Sequence, residues 1–164
     1  MPSTETLDRT YLELARVWSQ LSPAQRMKVG CLIVKDNMII SDGYNGTPSG
    51  FDNTCEGEDG KTLTEVLHAE SNAITKLAKS TQSSYGATVY ITLSPCVDCA
   101  KIMIQSGINR VVYGERYRHA DRGLDLLARA GICVVYSEVW ISQRMIGFLL
   151  LIKYEAILLA EVYM

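Results

Sequence analysis

The sequence predicts an α/β fold in one domain spanning residues 1–164, built from a β-hairpin followed by strand, helix, strand, helix, strand. Three observations carry this expectation. Short β-branched runs alternate with stretches of helical character. The links between them are short, which implies parallel pairing with helices packed on the sheet. The composition, 48% apolar and 21% charged over 164 residues, is that of an ordinary globular chain with room for one substantial core.

The elements follow in order. Leu7, Tyr11, Leu14, Trp18 and Leu21 repeat at 4-3-4-3 spacing and mark one face of an opening helix. Ser3 or Thr4 suits its N-cap, and Pro23 bars its continuation. VGCLIV (29–34) and MIISDGY (38–44) are β-rich runs separated by Lys35, Asp36 and Asn37, the pattern of a hairpin. From Asn45 to Lys61 the chain is rich in Gly, Asn, Asp and Pro and reads as a loop. A second helix is expected from about Thr64 to Lys79, burying Val66, Ala73, Ile74 and Leu77. ATVYITL (87–93) is the next strand; Ser94 and Pro95 turn into a helix from Cys96 to about Gln105. RVVYGE (110–115) is a strand, Gly123 to Ala130 a short helix, and ICVVY (132–136) the last strand. An unusually apolar final helix is expected between Val139 and Glu161.

Charge and composition exclude several classes of function. The net charge is −2, and no run of Lys or Arg forms a basic stripe, which argues against binding to nucleic acid through many phosphates. The first 18 residues lack the basic start and apolar stretch of a signal peptide. The apolar stretch from Gly147 to Ala160 contains Lys153 and Glu155 and is too short and charged to span a bilayer. A cytoplasmic protein without membrane attachment is expected, and the Cys96–Cys99 C-x-x-C then points to metal or redox chemistry before a disulfide.

Three residues form a candidate metal set. Cys96 and Cys99 lie three apart across the first turn of a helix, so both sulfurs can face one point. A helix N-terminus and a divalent cation both favour the thiolate form, and Pro95 suits the entry to that helix. His68 is expected in the opening turns of its own helix. Three protein ligands leave a tetrahedral zinc one open position, which marks a catalytic rather than a structural site. Glu70, two residues from His68, is near the metal but points elsewhere, and so is placed to move protons rather than to ligate. Zinc at such a site lowers the pKa of bound water to about 7, and Glu70 is the candidate general base and acid. Cys31 and Cys133 fall in strands and read as small core residues. Cys55 is either an additional ligand or a plain loop thiol, and His119 reads as a surface or pocket-rim residue.

His68-Ala69-Glu70 and Pro95-Cys96-Val97-Asp98-Cys99 match H-x-E…P-C-x-x-C, the signature of the zinc nucleobase deaminases. From Val29 to Tyr136 the chain resembles the cytidine deaminase superfamily, and within it the deoxycytidylate (dCMP) deaminases, phage-encoded members included. GYNGTPSGFD (43–52) is the discriminating segment; after Glu138 no resemblance is drawn. The resemblance implies a three-layer α/β/α sandwich around a mixed five-stranded sheet, with zinc at two helix N-termini. It implies hydrolysis of dCMP to dUMP and ammonia, which supplies dUMP for thymidylate synthesis.

Further roles rest on that resemblance. Asn45 matches an asparagine that contacts sugar or base, an amide being both donor and acceptor; a turn asparagine before Gly46 is the alternative. Arg26 is the candidate 5′-phosphate clamp, with Tyr117 and Arg118 contributing from the loop after residues 110–115, because a guanidinium offers phosphate a planar fork of donors. Solvent-exposed arginines are the competing reading. Ser94 is a candidate contact to the pyrimidine edge. Regulation by dCTP as activator and dTTP as inhibitor, with Mg2+ accompanying the triphosphate, and a hexameric assembly are also implied. Lys28 and Gly46 would line the effector site, and host cytoplasm is the expected location of a phage-encoded member.

Overall fold

A computed structural model describes residues 2–118 and 120–138. His119 and the expected final helix, including the Gly147–Ala160 stretch, lie outside the described residues. The elements are α1 (Thr4–Ser19), β1 (Gly30–Lys35), β2 (Met38–Tyr44), α2 (Ala69–Leu77), β3 (Thr88–Leu93), α3 (Val97–Gln105), β4 (Arg110–Glu115), α4 (Asp121–Arg129) and β5 (Cys133–Tyr136). The strands form one mixed sheet in the order β2-β1-β3-β4-β5. β1 is antiparallel to both β2 and β3, and β3, β4 and β5 run parallel, as the short strand–helix–strand links require. Asp36 and Asn37 adopt φ values of 51° and 60°, the left-handed pair of a tight hairpin turn.

Period-two alternation divides the sheet into two apolar faces. Cys31, Ile33, Val89, Ile91 and Val111 face α2, α3 and α4, while Leu32, Val34, Tyr90 and Val112 face α1. Helices thus cover both faces, the expected three layers. Two glycines let the site helices sit close to their neighbours. A Cβ at Gly43 would lie 2.2 Å from the Ala69 carbonyl oxygen, and one at Gly123 would lie 2.4 Å from that of Pro95.

Three expectations are corrected. α1 buries Asp8, Leu12, Ala15 and Ser19, not the predicted stripe; Leu14, Trp18 and Leu21 are exposed. The face is chosen by a buried ion pair of Asp8 and by the approach of Gly30, whose added Cβ would meet the Ala15 carbonyl at 2.0 Å. Tyr11 and Trp18 flank that face, donating to the Asn37 carbonyl and the Asp42 carboxylate. α2 begins at Ala69 rather than near Thr64, because Leu67 is extended and exchanges both backbone hydrogen bonds with Gly46. His68 is therefore the N-cap of α2 rather than a residue of its first turns. Cys133 is exposed on the edge strand β5 rather than in the core.

Candidate active site

The parallel strands end where two helices begin. β3 runs through Ser94 and Pro95 into α3, whose N-cap is Cys96; α2 starts at His68 alongside. A crevice outside the carboxyl ends of parallel strands is the usual ligand position in an open α/β sheet. Here it is a cavity of about 190 Å³ whose lining includes His68, Glu70, Cys96, Asn45 and Arg26.

His68 Nδ1 lies 3.5 Å from Cys96 Sγ and 3.4 Å from Cys99 Sγ. Among the described residues these form the one group of three His, Cys, Asp or Glu whose ligand atoms converge, all within 4.8 Å of one another. Zinc–sulfur and zinc–nitrogen distances of about 2.3 and 2.0 Å at tetrahedral angles put sulfur and nitrogen about 3.5 Å apart, so the donor set fits that ion. The Cys99 backbone N–H donates to Cys96 Sγ, so the helix start itself stabilises a sulfur anion. The Cys96 thiol is pulled down to about 4, first by its hydrogen bonds with Cys99 and His68. The Cys99 thiol is pushed up, first by the same Cys96 contact and then by burial. A cation held by both sulfurs takes them as thiolates, so its binding would displace any proton they hold. His68 is raised above the usual imidazole value, first by its hydrogen bond to Cys96.

Glu70 is 4% exposed, and no Lys or Arg pairs with it among the described residues. Burial raises its carboxyl to about 7, against the opposing pull of a backbone N–H and of His68. A carboxyl poised near neutrality can both accept and return a proton.

The remaining candidates are distributed as follows. Asn45 faces the cavity, but its amide is already engaged: Oδ1 accepts from the Val29 N–H at 2.8 Å and Nδ2 donates to the Met27 carbonyl at 2.9 Å. One amide hydrogen and one lone pair remain for other contacts. Ser94 is buried in the cavity wall and its hydroxyl accepts from the Tyr117 N–H at 2.7 Å, which anchors the loop carrying Tyr117 to the site. Arg26 and Tyr117 both line the cavity; Arg118 is exposed and outside its lining. Lys28 borders a neighbouring cavity with Arg16 and Glu138, whereas Gly46 is buried in its bridge to Leu67 and lines neither. Lys28 and Gly46 are thus not brought to one cavity.

Cys55, an additional ligand or a plain loop thiol by sequence, and Glu56, which the sequence analysis did not single out, both line the cavity. Cys55 is 2% exposed in the wall, with its thiol pushed up first by burial. Glu56 borders the cavity beside it. No local pattern marks either one, because the loop folds back on itself through a Glu56–Thr62 bridge.

Comparison with known proteins agrees with this geometry. The family model for the cytidine and deoxycytidylate deaminase zinc-binding region matches residues 5–115. The deoxycytidylate deaminase of Enterobacteria phage T4 is 36% identical over 165 residues, covering 75% of this chain and 86% of that one. The human deoxycytidylate deaminase is 32% identical over 120 residues, covering 68% of this chain and 66% of that one. A crystal structure of the dCMP deaminase from cyanophage S-TIM5, in complex with dCMP and dUMP, superposes with a TM-score of 0.78 at 44% identity over 83% of this chain and 99% of that one. The zinc-binding region so matched and the His68, Cys96 and Cys99 donors together support zinc as the metal of this site. This chain belongs to the cytidine and deoxycytidylate deaminase family.

Proposed function

We propose that the chain, acting as one domain over residues 1–164, hydrolyses dCMP to dUMP and ammonia. The observation that carries this reading is Glu70: a buried carboxyl with no Lys or Arg partner among the described residues, raised to about 7 and set beside a His/Cys/Cys donor group. A purely structural metal site has no use for such a group. Relatives named deoxycytidylate deaminase from phage, yeast and human support the choice of substrate, as does the phage enzyme in complex with dCMP and dUMP.

His68, Cys96 and Cys99 hold zinc in this reading. Zinc, when bound there, lowers the pKa of its water to about 7 and makes a nucleophile available at neutral pH. Glu70 accepts a proton from the attacking water and delivers it to the ring N3, while oxygen adds at C4. Glu70 then takes the remaining proton of the C4 hydroxyl and passes it to the exocyclic amine; the C4–N bond breaks, the C4 carbonyl forms and ammonia leaves. Asn45, with its amide fixed by the backbone of residues 27–29, offers its remaining donor and acceptor to the sugar or base. Ser94 orients the wall against the pyrimidine edge, and Arg26, assisted by Tyr117 and Arg118, meets the 5′-phosphate.

Regulation by dCTP and dTTP, with Mg2+ on the triphosphate and Lys28 and Gly46 near the effector, belongs to the same proposal, as does a hexamer. So does a cytoplasmic location; among the described residues no helix is long and apolar enough to cross a membrane.

An ammonia-release panel over dCMP, CMP, deoxycytidine and a triphosphate, with and without dTTP, tests the proposal. The expected result is far faster turnover of dCMP than of deoxycytidine, with inhibition by dTTP. Equal rates on both would overturn the phosphate reading, and indifference to dTTP would overturn the regulatory one.

A further inference from the structure

The wall of the cavity between α1 and β1 has no regular secondary structure, so side chains from elsewhere must satisfy its backbone. Asn45 ties down Met27 and Val29 from one side. From the other, the Glu56 carboxylate accepts the Gln25 N–H at 3.1 and 3.2 Å and the Arg26 N–H at 3.2 Å. Arg26 is the one Lys or Arg among the residues lining the cavity, and its side chain makes no ion pair among the described residues.

An acid beside an anion-binding arginine is chemically costly. It would repel a phosphate, and a free carboxylate would capture the guanidinium. Here the carboxylate is turned to two backbone amides instead, in charge-assisted hydrogen bonds. Its Oε1 accepts from both, which pins the backbone of Arg26 and leaves the guanidinium free to reach a ligand.

We propose that Glu56 is a positioning residue for recognition of the substrate's 5′-phosphate: it clamps the Gln25 and Arg26 amides and thereby sets the guanidinium at the cavity mouth. The inference rests on dCMP being the substrate and Arg26 its phosphate contact. It assigns Glu56 no contact with the reacting atoms. Pre-ordering the arginine reduces the entropy lost on binding, so the effect falls on substrate affinity and on discrimination between nucleotide and nucleoside.

The test compares kcat/KM for dCMP and deoxycytidine in the wild type, Glu56→Ala, Glu56→Gln, Arg26→Ala and the Glu56→Ala/Arg26→Ala double variant, each with a thermal melt. Glu56→Ala is expected to lower the dCMP-to-deoxycytidine ratio about ten-fold, chiefly through KM. Glu56→Gln retains an oxygen for both amides and should recover most of that loss. In the Arg26→Ala background the loss from Glu56→Ala should vanish, because the two residues act as one unit. A Glu56→Ala variant that slows both substrates equally, or whose effect persists undiminished without Arg26, overturns the inference while the wild-type preference for dCMP stands. A wild type that does not prefer dCMP overturns the underlying reading, and this inference with it.

Discussion

Two carboxylates lie on opposite sides of the same sheet, almost equally buried at 5% and 4% exposure, and their pKa values move in opposite directions. Asp8, on α1, accepts both Nη1 and Nη2 of Arg110 at 2.7 Å and the Tyr90 hydroxyl at 2.9 Å. Burial alone would push its carboxyl up, but the Arg110 and Tyr90 hydrogen bonds outweigh burial and hold it below the ordinary aspartate value. Glu70, on α2, pairs with no Lys or Arg among the described residues, and burial wins. The protonation of a buried acid is therefore set by the company it keeps as well as by its depth. The Asp8 network stays charged and ties α1 to β3 and β4, while Glu70 stays near neutrality where it can exchange protons. One holds the fold together, and the other is the acid proposed to carry protons.

Exchanging Glu70 for an isosteric amide should break this contrast most sharply. Glu70→Gln removes the proposed proton carrier while leaving His68, Cys96 and Cys99 in place. Ammonia release from dCMP should fall by at least about 10³-fold, with zinc content by elemental analysis unchanged. The melting temperature should not drop, because a buried acid without a cation contributes little to stability. Turnover near the wild-type rate would remove Glu70 from the mechanism.

On the other face the opposite outcome is expected: a stability loss with little direct effect on chemistry. Asp8→Ala leaves the part-buried Arg110 guanidinium without its carboxylate partner, and the cost is about 3 kcal/mol. Urea unfolding should report it as a shift in midpoint at constant slope. A change below about 1 kcal/mol would mean that the pair is worth no more than a surface salt bridge.

A smaller effect sharpens the comparison through pH. Because the folded-state pKa of Asp8 is depressed, its contribution is fully present above the unfolded value of about 3.9. It is lost as pH falls through the folded value, where the unfolded chain already holds the proton. Acid titration of stability below about pH 4 should therefore be steeper in the wild type than in Asp8→Asn, which has no proton to gain there. Parallel acid limbs in the two proteins would show that Asp8 is not depressed.

Much of this molecule can be read along the chain. The hairpin, the three parallel strands and α3 fall where β-branched runs, the Asp36–Asn37 turn and the Pro95–Cys96 helix entry put them, because each is decided by neighbours a few residues away. The donors His68, Cys96 and Cys99 and the acid Glu70 are legible for the same reason: two short motifs, each at a helix start. The buried face of α1 is not. Its apolar spacing points to Leu14, Trp18 and Leu21, but Arg110, 102 residues away, draws in Asp8. The start of α2 was similarly overruled by the distant pairing of Leu67 with Gly46, and Cys133 by its place on an edge strand.

By itself, then, the amino-acid order pointed to the layered architecture, to the convergent His68, Cys96 and Cys99 and to the neighbouring acid Glu70. Local backbone preference and short-range spacing are enough to specify those. Only the tertiary structure decided which of two buried acids is held ionised and which is raised to about 7, and which acid clamps the cavity wall at Gln25 and Arg26. The physical reason is that charge, hydrogen bonding and desolvation act through space. The groups that set them, Arg110 for Asp8 and the backbone amides for Glu56, come from remote parts of the chain and meet only once it has folded.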